Sequence, residues 1–345
     1  MKTLDELRSE VDRADDAIVA ALKARFAATD EIGRVKRARG LAVNVPGREE
    51  AVLSRLAAEL PRADVETIWR AIFDASKARQ SRLAASGGDL DGLYARYNAY
   101  VDTYRGADGT LPKMMDLKLL HTMKVVEAAK TIAAGEGFDA RLARACEAAA
   151  LLHDTGRYEQ LKRYNTFRDS DSVDHAAFSY EIVREKDWLA DWDDRDAILA
   201  AVRVHNQREI PAEITDEFAH TCARCTRDSD KLDIFRVLED QIENCDWRND
   251  SRAFWNLSTT KAPNPVVVGA ILEGRPVDYQ HIESLADFVL IQLGWMASGL
   301  EFATSRRLCA ERGHLEFRRR FLHELTDDPA VDRVCDFADL RLKTR

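Results

Sequence analysis

A three-and-four spacing of mostly apolar side chains runs from Leu4 to Val35 and makes the start of this chain one long amphipathic helix. Leu4, Leu7, Val11, Ala14, Ile18, Leu22, Ile32 and Val35 share a stripe, with Arg25 on the same face. The helix is expected over roughly 3–39, ended by Gly40. Pro46 and Gly47 break the chain, Arg48–Leu60 reads as a second helix stopped by Pro61, and Asp64 caps a third through Leu83. The small residues Ala84-Ala85-Ser86-Gly87-Gly88-Asp89 read as a linker. Helical spacing then resumes over Arg141–Leu152, Ser172–Arg184, Asp194–His205, Arg227–Glu243 and a long Ser284–Arg307. No alternating strand pattern stands out; Val266-Val267-Val268 is β-branched but long enough only for a small hairpin. The expectation is an all-α protein with a three-helix domain over 1–84, a linker over 85–92, a larger helical domain over 93–325 and a charged tail over 326–345.

Length favours about two domains, and a hydrophobic content of 46% supplies their cores. A net charge of -9 argues against a nucleic-acid polymer as partner. No run of about 18 apolar residues is present to span a membrane, and Met1 to Glu6 shows no apolar leader. Cys146, Cys222, Cys225, Cys245, Cys309 and Cys335 are scattered, which reads as cytosolic thiols and a cytoplasmic location rather than a disulfide framework. Cys222-Ala-Arg-Cys225 lacks the second pair that a structural zinc site needs.

Charged residues on the first helix's buried face need partners. Arg25 and Lys36 fall in the series 18, 22, 25, 29, 32 and 36. The segment resembles the all-helical, AroQ-type chorismate mutases through Leu4-Asp5-Glu6-Leu7-Arg8, Asp12, Asp15, Arg25, Gly33-Arg34-Val35-Lys36, Arg48-Glu49-Glu50 and Ser76-Lys77-Ala78-Arg79-Gln80. That resemblance implies a pericyclic rearrangement of chorismate to prephenate without any cofactor. Arg8, Arg25 and Arg48 would clamp carboxylates, Lys36 and Gln80 would face the ether oxygen, Glu49 would accept from the ring hydroxyl, and Ser76 would add a polar contact. Val45 departs from an acidic family position, which bears on affinity at the hydroxyl side. Arg8 and Arg25 lie about 25 Å apart along a straight helix, so a single substrate can meet both only if two chains share a site. An intertwined homodimer is expected, as the resemblance also implies. An isochorismate pyruvate-lyase on the same fold is the alternative, and Glu49 favours the mutase.

Downstream, His121, His153, Asp154, His175, His205 and Asp230 follow in an order that suits two metals. Leu119-Leu120-His121-Thr122, Leu151-Leu152-His153-Asp154-Thr155-Gly156 and Asp228-Ser229-Asp230-Lys231-Leu232 resemble the HD superfamily of metal-dependent phosphohydrolases, and His175 and His205 match the extra histidines of its binuclear branch. Two divalent ions of Mn, Fe, Co, Ni or Zn are expected, with Asp154 between them and as a catalytic residue. Arg157, Lys162, Arg163 and Arg168 are candidates to neutralise the phosphate of a small phosphorylated substrate or nucleotide. Asp228 and Asp233 flank Asp230 and compete for its role, while His220, His281, His314 and His323 fit no ligand pattern. The expected function is a bifunctional mutase and phosphohydrolase. Alternatives are a di-iron oxygenase on the same ligand set, or one domain acting as a sensor for the other.

Overall fold

The computed structural model describes residues 2–38, 47–86, 88–248, 254 and 257–344; the side chains at 30, 31, 33–38 and 80–86 lie outside that description. Among the described residues the architecture is all-helical without strands. The chain divides into two units, Met1–Asp89 with Ala190–Asp193, and Leu90–Leu189 with Asp194–Arg345.

The first unit is built on α1 (Leu4–Ala38), α2 (Arg48–Leu56) and α3 (Arg62–Ser86). Leu53, Val65 and Phe73 form its small core, edged by Val52, Leu56 and Trp69. The apolar stripe of α1 stays uncovered. Leu4, Leu7, Val11 and Ile18 are 64%, 45%, 58% and 55% exposed, and no described side chain of α1 is buried. A stripe of that length is unusual on a monomer.

The second unit is organised around α10 (Glu217–Asn244), against which α5 (Lys113–Gly135), α6 (Ala140–Leu152) and α9 (Arg195–Val204) pack. Ala145, Ala148 and Ala149 are fully buried on α6, and their short side chains allow close helix approach. Helix starts are set locally. Asp139 accepts from Leu142 N, Asp174 from Ala176 N and Ala177 N at the head of α8 (His175–Glu185), and Asp216 from Ala219 N at the head of α10. α4 (Leu90–Asp102) and α7 (Gly156–Tyr164) complete this half. α11 (Pro265–Leu272), α12 (Leu285–Gly294), α13 (Ala303–Glu311), α14 (His314–Leu325) and α15 (Ala330–Thr344) form the rest.

Several expectations need correction. Val266–Val268 is helical: Asn264 accepts from Val266 N, and Pro265 starts α11. The long helix expected over Ser284–Arg307 is interrupted by a π-helical turn at Trp295–Gly299 before α13 begins. The break is held by Asp228, whose Oδ2 accepts from Glu301 N at 2.9 Å and Phe302 N at 3.1 Å. The expected tail over 326–345 is helical over Ala330–Thr344, where α15 buries Val331, Val334, Cys335 and Ala338.

α14 is fastened to α10 by a buried charge. Arg318 is fully buried and donates to Glu239 Oε1 at 2.5 Å, to Gln292 Oε1 at 2.6 and 2.9 Å, and to Phe235 O at 2.9 Å. His314 Nδ1 contacts the same Glu239 oxygen at 2.7 Å. Removing the carboxylate leaves a guanidinium buried among neutral acceptors. Glu239→Ala is therefore expected to cost about 3–5 kcal/mol in urea-monitored unfolding of the second unit; a loss below about 1 kcal/mol would mean that the pair does not hold α14 in place.

Candidate functional site

Asp154 follows His153, the C-cap of α6, and immediately precedes the turn into α7. Gly156 makes this corner feasible. A Cβ there would lie 2.8 Å from Ser179 N and 2.9 Å from His175 O, so a side chain would push α8 off the corner. Asp154 is buried, and its two oxygens face different pairs of rings. Oδ2 lies 3.6 Å from His121 Nε2 and 3.5 Å from His153 Nε2. Oδ1 lies 3.6 Å from His175 Nε2 and 3.8 Å from His205 Nε2. Asp230 Oδ1 joins the first pair, 3.2 Å from His121 Nε2 and 3.8 Å from His153 Nε2. All six sequence candidates thus meet, drawn from α5, α6 and its C-cap, α8, α9's C-cap and α10.

The outer nitrogen of each imidazole fixes its ring. His153 Nδ1 contacts Ala150 O at 2.7 Å and His205 Nδ1 contacts Val202 O at 2.7 Å. Carbonyls only accept, so these rings carry their proton on Nδ1 and turn an Nε2 lone pair inward. His121 Nδ1 meets Asp233 Oδ2 at 2.7 Å, and His175 Nδ1 meets Asp169 Oδ2 at 2.5 Å. Inside, Nε2 of His121 and His153 stand 3.3 Å apart, and those of His175 and His205 3.1 Å apart. Such distances are met either by a proton shared between the two rings or by a cation held by both. The donor set fits two divalent ions: His121, His153 and Asp230 with Asp154 Oδ2 could hold one, and His175 and His205 with Asp154 Oδ1 the other.

The electrostatics differ from ring to ring. Burial, then neighbouring His175 and His153, push His205 down to about 3, so its ring is neutral and able to bind a cation. Burial opposes the charge on Asp154, yet Lys118, His153, Arg157 and His175 hold its carboxyl well below the usual range. Burial and Lys118 likewise oppose charge on His121, but Asp230 and Asp233 keep its pKa above the ordinary value.

Some roles left open by the sequence separate here. Asp228 points to the break before α13, and Asp233 supports His121 from outside. Asp174 caps α8 and receives Asn206 Nδ2, while Asp169 steadies His175, so these acids surround the site from behind the rings. Of the four basic residues after the His-Asp pair, Arg157 reaches it, with Nε 3.5 Å from Asp154 Oδ1. Lys162 and Arg163 turn to Glu159, and Arg168 to Asp171. Lys118, absent from the sequence reading, donates to Asp154 Oδ2 at 2.7 Å. Its position three residues before His121 puts it on the same helix face, a signal that was available. A cavity of about 610 Å³ opens beside this cluster, walled by Lys231, Trp295, Val277 and Tyr279, with His220 on its lining.

In the first unit, Arg25 Nη1 donates to the buried Ser76 Oγ at 2.6 Å, and its guanidinium stacks 5.4 Å over Phe73. Burial lowers the Arg25 pKa. Glu49 pairs with Lys77 at 2.9 Å, with Arg48 beside it at the exposed start of α2. Arg8 stands apart on the exposed start of α1, paired at 3.3 Å with Asp5. The side chains of Lys36 and Gln80, and Val45 entirely, lie outside the described residues.

Comparison with known proteins agrees with both halves. Residues 7–81 match the family described as chorismate mutase type II, and residues 119–234 match the HD domain family. The T-protein of Haemophilus influenzae (strain ATCC 51907 / DSM 11121 / KW20 / Rd) is 28% identical over 116 residues, covering 28% of this chain and 31% of that protein. The chain therefore spans under a third of that relative's length. No solved structure matches it significantly. The chain carries a type II chorismate mutase domain followed by an HD domain. No described helix is long and apolar enough to cross a membrane.

If Asp233 orients His121 for a cation, Asp233→Asn should weaken metal binding by about 10–100-fold. Calorimetric titration with manganese checks this, and an unchanged affinity would leave Asp233 as a structural partner of Arg236 alone.

Proposed function

We propose that the chain is a cytoplasmic bifunctional enzyme: its first unit rearranges chorismate to prephenate, and its second hydrolyses a small phosphorylated substrate with the help of two divalent metals. One observation carries the second assignment, the single buried carboxylate of Asp154 with each oxygen turned to its own pair of imidazoles. A metal pair bound there would supply Lewis acidity and a more acidic water for phosphoryl transfer. This chain's residues do the remaining work. Lys118 and Arg157, already beside Asp154, would offset the charge of the phosphoryl oxygens. Asp169 and Asp233 would keep His175 and His121 aimed inward. Lys118 and Arg157 beside Asp154 favour an anionic substrate, and the metal bound there separates the hydrolase from the oxygenase alternative.

The mutase reading rests on the placement of Arg25, Ser76 and Glu49. The reaction is unimolecular, so the protein needs only to hold the reactive conformer and stabilise charge on the breaking ether oxygen. Arg25 and Arg48 would bind carboxylates through their planar forks. Arg25 reaches that role pre-oriented by Ser76 and Phe73. Lys36 and Gln80 would serve the ether oxygen, and Glu49 the hydroxyl. The uncovered stripe of α1 supports a homodimer in which Arg8 of a second copy completes each site.

Two variants test the halves separately. Lys36→Ala should lower chorismate turnover by at least about 100-fold, with helicity and metal content unchanged; full turnover would sink the mutase assignment. Asp154→Ala should lose bound metal and the hydrolysis of p-nitrophenyl phosphate while mutase turnover persists. Iron-dependent oxygen consumption in place of phosphate release would instead select the oxygenase.

A further inference from the structure

Six lysines and arginines line the cavity beside Asp154, and carboxylates answer four of them. Lys118 and Arg157 lie against Asp154, Arg208 pairs with Asp278 at 2.8 Å, and Arg275 with Glu273 at 2.5 Å. Arg227 and Lys231, one helical turn apart on α10, are different. Arg227 is only 8% exposed, yet its guanidinium donates solely to the carbonyls of Val204, Gln207 and Arg208, and its Nε has no partner. Lys231 makes no hydrogen bond or ion pair among the described residues. Its side chain runs along the π-helical turn, where a Cβ at Gly299 would lie 3.4 Å from Lys231 Cε.

The hydrogen bonds and ion pairs of the acids in this region go to other groups. Asp228 spends Oδ2 on Glu301 N and Phe302 N, Asp230 turns to His121 and His153, and Glu301 lies 3.8 Å from Arg224. Two like charges one turn apart, both withdrawn from bulk water, repel each other, and among the described residues no carboxylate forms an ion pair with either; Asp228, Asp230 and Glu301 act on them only from a distance. Lys118 and Arg157 already serve the Asp154 end, so the α10 pair marks a separate point of recognition.

We propose that Arg227 and Lys231 form a second anion subsite, which binds a carboxylate or a further phosphate of the substrate whose reactive phosphoryl group lies at Asp154. The proposal rests on the phosphohydrolase reading. It narrows the substrate to a small molecule with at least two anionic groups, one cleaved and one held.

The test compares the zinc-loaded chain with Lys231→Met and Lys231→Arg, titrating inorganic phosphate and, in parallel, malonate at fixed ionic strength by calorimetry. Wild type and Lys231→Arg should each bind one equivalent more than Lys231→Met. Loss with phosphate identifies a phosphate-binding subsite, and loss with malonate a carboxylate-binding one. Equal stoichiometry in wild type and Lys231→Met for both anions would overturn the subsite. Zinc content and phosphatase turnover are measured on the same preparations. A chain that keeps both but shows no Lys231-dependent anion overturns the subsite alone. One that binds the anion through Lys231 yet takes up no zinc overturns the phosphohydrolase reading instead.

Discussion

A carboxylate placed in the interior must be answered by positive charge, and the second unit is arranged around that demand at Asp154. Four imidazoles, Lys118 and Arg157 surround it. The helices that deliver them can meet there only because Gly156 leaves room for α8 and because alanines on α6 allow close packing. The outer hydrogen bonds of the rings then decide which nitrogen faces inward. Fold and donor geometry are one constraint in this half of the molecule: shifting α8 or α9 by a fraction of a turn would turn a lone pair away from Asp154.

The first unit solves a different problem. Its proposed reaction needs no metal and no nucleophile, so in that proposal the cations bind carboxylates of the substrate rather than neutralise one inside the protein. Arg25 is held by Ser76 and Phe73 before any substrate arrives, which reduces the ordering cost on binding. The core beneath it is small, and α1 leaves its apolar face open. The proposed homodimer would cover that face and bring Arg8 of a second copy to each site.

The helical class of both halves was legible because apolar spacing is a strong signal over long elements. The six candidate ligands could be picked out only as an ordered set, since a lone histidine on a helix is usually structural and their sequence order carried the resemblance. What the sequence could not supply was everything fixed by tertiary contact. Asp169 and Asp233 support rings held on other helices, and nothing in their own neighbourhoods marks them for that role. The break after Gly294 was missed because it depends on Asp228, distant in sequence. The final helix was read as a tail because its charged residues are conspicuous, whereas Val331, Val334 and Cys335 bury a narrow stripe. The unanswered cations on α10 had no sequence signature either, since their isolation is a property of the cavity.

The claim on which the account turns is that Asp154 stands between two metal positions. A crystal of the two-unit chain soaked with manganese, measured by anomalous scattering, tests it directly. The account predicts two anomalous peaks, one among His121, His153 and Asp230 and the other beside His175 and His205, with one oxygen of Asp154 turned to each. A single peak that leaves His175 and His205 unliganded, or none at all, would contradict it.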